Sequence, residues 1–152
     1  MDNVRAEVTA RRLVKDETLP ISLEILCERY DIELYFMDML RCDAIYMEHR
    51  NCRYIAVNDN NILVRQRFSI AHEFGHCVCG HGPIAFSGTT IRPHWQEAQA
   101  NRFAAELLMP KPHLIRFGML TPQNIKDLCG VSLQAATIRA EQLGWGQMEI
   151  SF

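Results

Sequence analysis

A chain of 152 residues, 48 % hydrophobic and 22 % charged with a formal net charge of −2, is long enough to bury a core and fits one domain. The slightly acidic balance excludes a strong electrostatic footprint for nucleic acid, and no basic run suggests a membrane surface. No apolar stretch reaches bilayer-spanning length. The polar start, Met-Asp-Asn-Val-Arg-Ala-Glu, lacks the pattern of a signal peptide, so the expected location is the cytoplasm. The six cysteines are then expected to be reduced and to behave as small buried hydrophobes.

Residues 3–15 read as a helix with Val4, Val8 and Leu13 inward and the arginines outward. After Pro20, Ser22 caps a second helix, Leu23 to Tyr30, whose buried side is Leu23, Leu26, Cys27 and Tyr30. The period then changes. Ile32, Leu34 and Phe36 alternate with Glu33, Tyr35 and Met37, as a half-buried strand does. Ala44 to Glu48 and Arg53 to Asn58 are two further strand-like runs, joined by a turn at His49-Arg50-Asn51-Cys52. Together they predict a small three-stranded antiparallel sheet. The Asn58-Asp59-Asn60-Asn61 cluster breaks it off.

The next stretch, Arg67-Phe68-Ser69-Ile70-Ala71-His72-Glu73-Phe74-Gly75-His76, contains His72-Glu73-x-x-His76. On a helix, residues four apart share a face one turn apart, so both imidazoles reach a single metal ion. Glu73, beside the first of them, is placed to take a proton from a water at that ion. A nitrogen and carboxylate donor set favours zinc, one ion per chain. Phe68, Ala71, Gly75 and Cys79 recur at helical spacing. Glycine mid-helix costs about 1 kcal/mol relative to alanine, which predicts another backbone passing close to Gly75.

Gly80 to His94 is rich in Gly, Pro, Ser and Thr and reads as a loop beside the metal, a lid or substrate guide. Within it His81, Arg92 and His94 are candidates for substrate or oxyanion contacts, and their spacing does not choose among them. The following helix, from Trp95, offers Glu97 as third ligand and leaves a fourth position open. Cys79, on the face of His76, is the rival. Asn101, one turn beyond Glu97, is placed to support a ligating imidazole by a hydrogen bond. Ala100 and Ala104 keep that face small, so the two helices should pack tightly, while Glu106 points to the opposite side. Met109-Pro110-Lys111-Pro112 stops the helix, because proline cannot continue it.

Arg-Phe-Ser-Ile-Ala-His-Glu-Phe-Gly-His followed by Glu-x-x-Ala-Asn-x-Phe-Ala-Ala-x-Leu-Leu-Met-Pro, both within residues 65–110, resembles the ImmA/IrrE family of bacterial and phage metallopeptidases. The resemblance implies a minimal zincin-like fold, zinc held by His72, His76 and Glu97, and Glu73 as catalytic base. Many members carry a glutamate immediately before Ala-Asn, where this chain has Gln99. Helix phase leaves Glu97, four residues before Asn101, as the better placed carboxylate. The resemblance further implies a narrow protein substrate, often a helix-turn-helix repressor whose cleavage releases a phage, mobile-element or stress operon.

In the tail, Thr121-Pro122 starts a helix to Leu128, Cys129-Gly130-Val131 turns the chain, and Ser132 caps a helix to Leu143. Its apolar set is Leu133, Ala136, Ile138 and Ala140. This is the outline of a helix-turn-helix, with Arg139 and Gln134 as its evident base or phosphate contacts. A packing or partner-docking module suits the charge better. The expected architecture is α+β: a zincin-like domain over residues 1–112, with the motif helix packed on the glutamate-bearing helix, and a helical tail over 113–152 resting on it. The leading expectation is a zinc metallopeptidase that cuts a protein partner, without direct nucleic-acid or membrane binding. Two alternatives belong to other classes: a zinc-containing binding module that masks a repressor or serves in a toxin–antitoxin pair, and a DNA-binding regulator acting through the tail.

Overall fold

The computed structural model describes residues 2–38, 41–84 and 91–145. Among these the chain forms α1 (Asn3–Leu13), α2 (Leu23–Arg29), β1 (Ile32–Met37), β2 (Ala44–His49), β3 (Cys52–Asn58), α3 (Leu63–Val78), α4 (His94–Leu108), α5 (Lys111–Arg116), α6 (Pro122–Cys129) and α7 (Leu133–Gln142). Side-chain caps start four of the helices: Asp2, Ser22, Thr121 and Ser132 each accept a first-turn N–H, satisfying donors that a helix start leaves unpaired. No helix among the described residues is long and apolar enough to cross a membrane.

The sheet is mixed rather than antiparallel. Its order is β1-β3-β2, with β3 antiparallel to β2 and parallel to β1. The β2–β3 hairpin is the expected one, closed by Arg50 and Asn51 at φ of 50° and 61°, the backbone a tight two-residue turn needs. What alternation leaves open is the partner of each strand. β3 carries the continuous buried run Ile55 to Asn58, the mark of a central strand covered on both faces, and it inserts between its two predecessors. β1 is left at an edge, with Phe36 49 % exposed.

Helix α1 lies along α4. Its inward stripe is Ala6, Ala10 and Val14, all fully buried, whereas Val4 is 67 % exposed. Hydrophobicity favours valine for the inside, but here the close helix contact admits mainly methyl groups. Pro110 ends α4 as expected, yet the chain re-enters a helix at once. Pro112 sits in the first turn of α5, where proline removes only an N–H that has no helical partner. In the tail, Ala136 and Ala140 are buried but Leu133 and Ile138 are each 49 % exposed. Residues 85–90 of the expected loop lie outside the described residues.

Glu106 ties these parts together from the side of α4 away from the histidines. Its carboxylate accepts from Arg11 Nε at 2.7 Å and from the Lys111 backbone N–H at 3.0 Å, and it pairs with Arg139 Nη2. Arg139 also donates from Nε to the Met109 carbonyl at 3.0 Å. One buried carboxylate therefore fixes α1, α5 and α7 onto α4. It also removes Arg139 from any role as a phosphate contact.

Burial raises the Glu106 pKa, but the Arg11 hydrogen bond, the Arg139 charge and the Lys111 N–H outweigh it and hold the carboxyl below its ordinary 4.5. A lowered folded-state pKa stabilises fully above the unfolded value and is lost as pH falls through the folded one. Glu106→Gln is thus expected to cost about 3–5 kcal/mol at neutral pH, since it leaves buried positive charge unpaired. In thermal melts the gap between parent and variant should close below pH 4.5. A gap that persists unchanged in acid would show that the carboxylate charge is not what holds these helices.

Candidate metal centre

Helix α3 carries His72 and His76 one turn apart, and the first turn of α4 carries Glu97. The two helices approach closely because of Gly75. A Cβ built there would lie 2.9 Å from the ring and 3.3 Å from the Cβ of Phe103. The neighbour is an aromatic side chain, not the backbone expected from the glycine alone. Phe103 is fully buried and stacks edge-on with Phe74, ring centroids 5.8 Å apart.

The approach brings three donors together. His72 Nε2 is 3.1 Å from Glu97 Oε2, His76 Nε2 is 2.9 Å from Glu97 Oε1, and the two Nε2 atoms are 3.0 Å apart. Donors about 2.0–2.1 Å from a tetrahedral ion stand about 3.3 Å from one another, so this set is already near the spacing of a mononuclear zinc site. Among the described residues His72 Nδ1 is buried without a hydrogen bond, His76 is fully buried, and the Glu97 side chain is 43 % exposed. The set is walled on one side and open on the other. Cys79, the rival third ligand, is not part of the three-donor cluster.

Behind His76 the helix end does specific work. Gly80, at φ 74°, follows the last turn of α3 in the left-handed conformation. The Gly80 N–H reaches the Cys77 carbonyl at 3.2 Å and the His81 N–H reaches the His76 carbonyl at 3.0 Å, the paired bonds of a Schellman motif. This folds His81 back onto His76. Their Nδ1 atoms are 2.8 Å apart, and His81 Nε2 is 2.7 Å from Gln99 Oε1. With the Gln99 carbonyl accepting the His81 Nε2–H, His81 Nδ1 accepts the His76 Nδ1–H. That leaves a lone pair on His76 Nε2, the atom in the cluster. Burial, then the charges of Arg92, His72 and His81, push the His76 pKa down to about 2, so the ring is neutral and fit to ligate.

Arg92 is buried beside this set. Its Nη1 donates to the His81 carbonyl at 3.5 Å, its Nε lies 4.0 Å from Glu97 Oε1, and among the described residues Nε and Nη2 have no hydrogen-bond partner. His94, at the first position of α4, is exposed. Of the three residues expected near an oxyanion, His81 thus lies behind His76, Arg92 beside Glu97, and His94 at the surface. Asn101 lines the same cleft as His72 and Glu73 but makes no hydrogen bond to His72 Nδ1. The imidazole support comes instead from Gln99 and His81.

Glu73 Oε2 accepts from the backbone N–H of Tyr46 at 3.0 Å, anchoring it to the free edge of β2. Burial, partly offset by that N–H and by Arg92, raises its pKa to about 7, with Glu97 adding to the rise. A backbone donor such as Tyr46 leaves no mark in a sequence. The Gln99–His81 pair does: a histidine directly after the helix-ending glycine falls over the residue five before it.

The two donor-bearing helices, with α3 packed on β2 and β3, make an α+β domain around the cluster. The chain belongs to the peptidase M78 family: the profile of its IrrE N-terminal-like domain matches residues 27–141. Among solved structures, a Mycobacterium tuberculosis transcriptional regulator has a similar fold, with a TM-score of 0.64 at 17 % identity. The match covers 91 % of this chain and 46 % of that one, so the chain spans less than half of the regulator's length. No curated protein matches the chain.

Purified protein is expected to carry about one zinc per chain by elemental analysis, and His72→Ala and Glu97→Ala should lose it. His81→Phe removes the acceptor for the His76 Nδ1–H and should weaken zinc about 10–100-fold in competition with a chelator. Parental affinity in His81→Phe would show that the relay does not orient the ligand.

Proposed function

We propose that the protein is a zinc-dependent endopeptidase, with His72, His76 and Glu97 as metal ligands and Glu73 as general base. The observation that carries this reading is the meeting of two Nε2 atoms and one carboxylate within 2.9–3.1 Å, beside a cleft of about 300 Å³ that His72 and Glu73 line. The chemistry that zinc supplies when bound there is Lewis acidity, which polarises a scissile carbonyl and brings the pKa of water towards about 7. Glu73 takes the proton of the attacking water and passes it to the leaving amine. Its bond to the Tyr46 N–H holds one carboxylate oxygen and leaves the other for the proton. Arg92 supplies a fixed positive charge beside Glu97, where negative charge develops during the attack.

The substrate in this reading is a protein, a helix-turn-helix repressor, cut inside the cell to derepress a phage, mobile-element or stress operon. Membership of the M78 family supports a regulator as target. The tail is a poor DNA reader: Arg139 is committed to Glu106, and the net charge is −2.

Glu73→Gln keeps size and hydrogen bonding but removes the base. Fold, zinc content and partner binding should survive, while cleavage falls by about two to four orders of magnitude. The encoded neighbour protein, incubated with parent and variant, gives the readout on a gel. Cleavage at the parental rate would sink the mechanism. A parent that binds and silences the partner without cutting it would make the chain a masking module instead.

A further inference from the structure

The cleft does not end at the metal ligands. Phe68 and Asn101 border the His72–Glu73 cleft and also line a second cavity of about 350 Å³. Phe68 lies one turn before His72 on α3, and Asn101 one turn after Glu97 on α4, so this cavity begins about 5–6 Å from the ligand set. Its walls are mainly apolar: Ala105 from α4 and Met109 just beyond it, Ala135 and Ile138 from α7. Two alanines make the space, and Ile138 is left 49 % exposed. Among the described residues the one charged side chain on the wall, Arg139, is turned to Glu106 and the Met109 carbonyl, so it offers nothing to an anion.

We propose that this second cavity receives an apolar side chain of the polypeptide substrate, at a residue beside the scissile bond, so that α7 helps choose the place of the cut. The proposal rests on the peptidase reading above. An extended peptide advances about 3.3 Å per residue and sends alternate side chains to opposite faces. A side chain next to a carbonyl held at the ligand set therefore spans the distance to the cavity. An isobutyl, thioether or phenyl group gains apolar contact there. A charged group exchanges its hydration for uncharged polar partners only, at Asn101, Ser132, Gln134 and Gln142. The residues of α7 that do this touch no proposed ligand, so they act on selection and not on the chemistry.

The test uses zinc-loaded full chain and two matched pairs of hydroxamate chelators. Acetyl-leucine against acetyl-glycine hydroxamate, and isobutylmalonyl against malonyl hydroxamate, place an isobutyl group or hydrogen on either side of the chelating atoms. Calorimetry should show the isobutyl member of one pair binding about ten-fold tighter. Ala135→Phe, which fills the cavity, should abolish that difference while leaving the unsubstituted member's affinity as it was. Ile138→Ser, at a half-exposed position, should reduce the difference about three-fold. Equal affinities within both pairs, or a preference unchanged in Ile138→Ser, would overturn the cavity's role and leave the metal site standing. Failure of every hydroxamate to bind would overturn the peptidase reading as well.

Discussion

Helices α3 and α4 meet with Phe103 pressed onto Gly75, where even a methyl group would come within 2.9 Å of the ring. The ring has no room to yield, since it is fully buried and packed against Phe74. Gly75 precedes His76 directly, and Phe103 follows Glu97 on the same helix. Any separation of the helices at this contact therefore carries Glu97 away from both imidazoles. A zinc ligand has about 0.2 Å of tolerance in its bond length. A glycine that weakens α3 by about 1 kcal/mol is thus the means by which three donors from two helices stay within about one ligand spacing.

The clustered donors were legible because their spacing is local. His72 and His76 follow from a four-residue helical period, and Glu97 from the same period counted back from Asn101. The hairpin was legible too, since Arg50 and Asn51 stand between two alternating runs. What alternation omits is pairing: a period of two says which face a residue takes and not which strand lies alongside. The β3 insertion therefore escaped. The α1 stripe escaped for a related reason. Hydrophobicity ranks Val4 above Ala6, whereas a close helix contact selects by size. Pro112 misled through its neighbour, because Pro110 ends one helix while Pro112 suits the first turn of the next.

His81 shows how a helix terminus can do chemical work at a distance from its own side chain. The Schellman bonds depend on Gly80 adopting φ 74°, and they place the residue after it over His76 whatever that residue is. A histidine there becomes an acceptor for the His76 Nδ1–H. Gln99 then sets the tautomer of His81 by accepting at its far nitrogen. A carboxylate at position 99 would accept the same proton and, being charged, would also raise the basicity of His81. Position 99 thus faces His81 behind His76, while position 97 supplies the carboxylate of the three-donor cluster.

The tail is bound to the same framework by its backbone. Arg67 of α3 donates to the Gly130 and Cys129 carbonyls at 3.1 and 3.2 Å, seizing the turn between α6 and α7, while Arg139 is held by Glu106. A helix-turn-helix that reads DNA must present the first turn of its second helix to a groove. Here α7 instead turns Ala135 and Ile138 onto a cavity that shares Phe68 and Asn101 with the site cleft. Because Glu106 fixes α7 from the face of α4 opposite Glu97, the wall of that cavity and the ligand set are positioned by one helix. Substitutions on the exposed part of α7 then alter the shape of the cavity while Gly75, Phe103 and Glu106 hold the donors where they are.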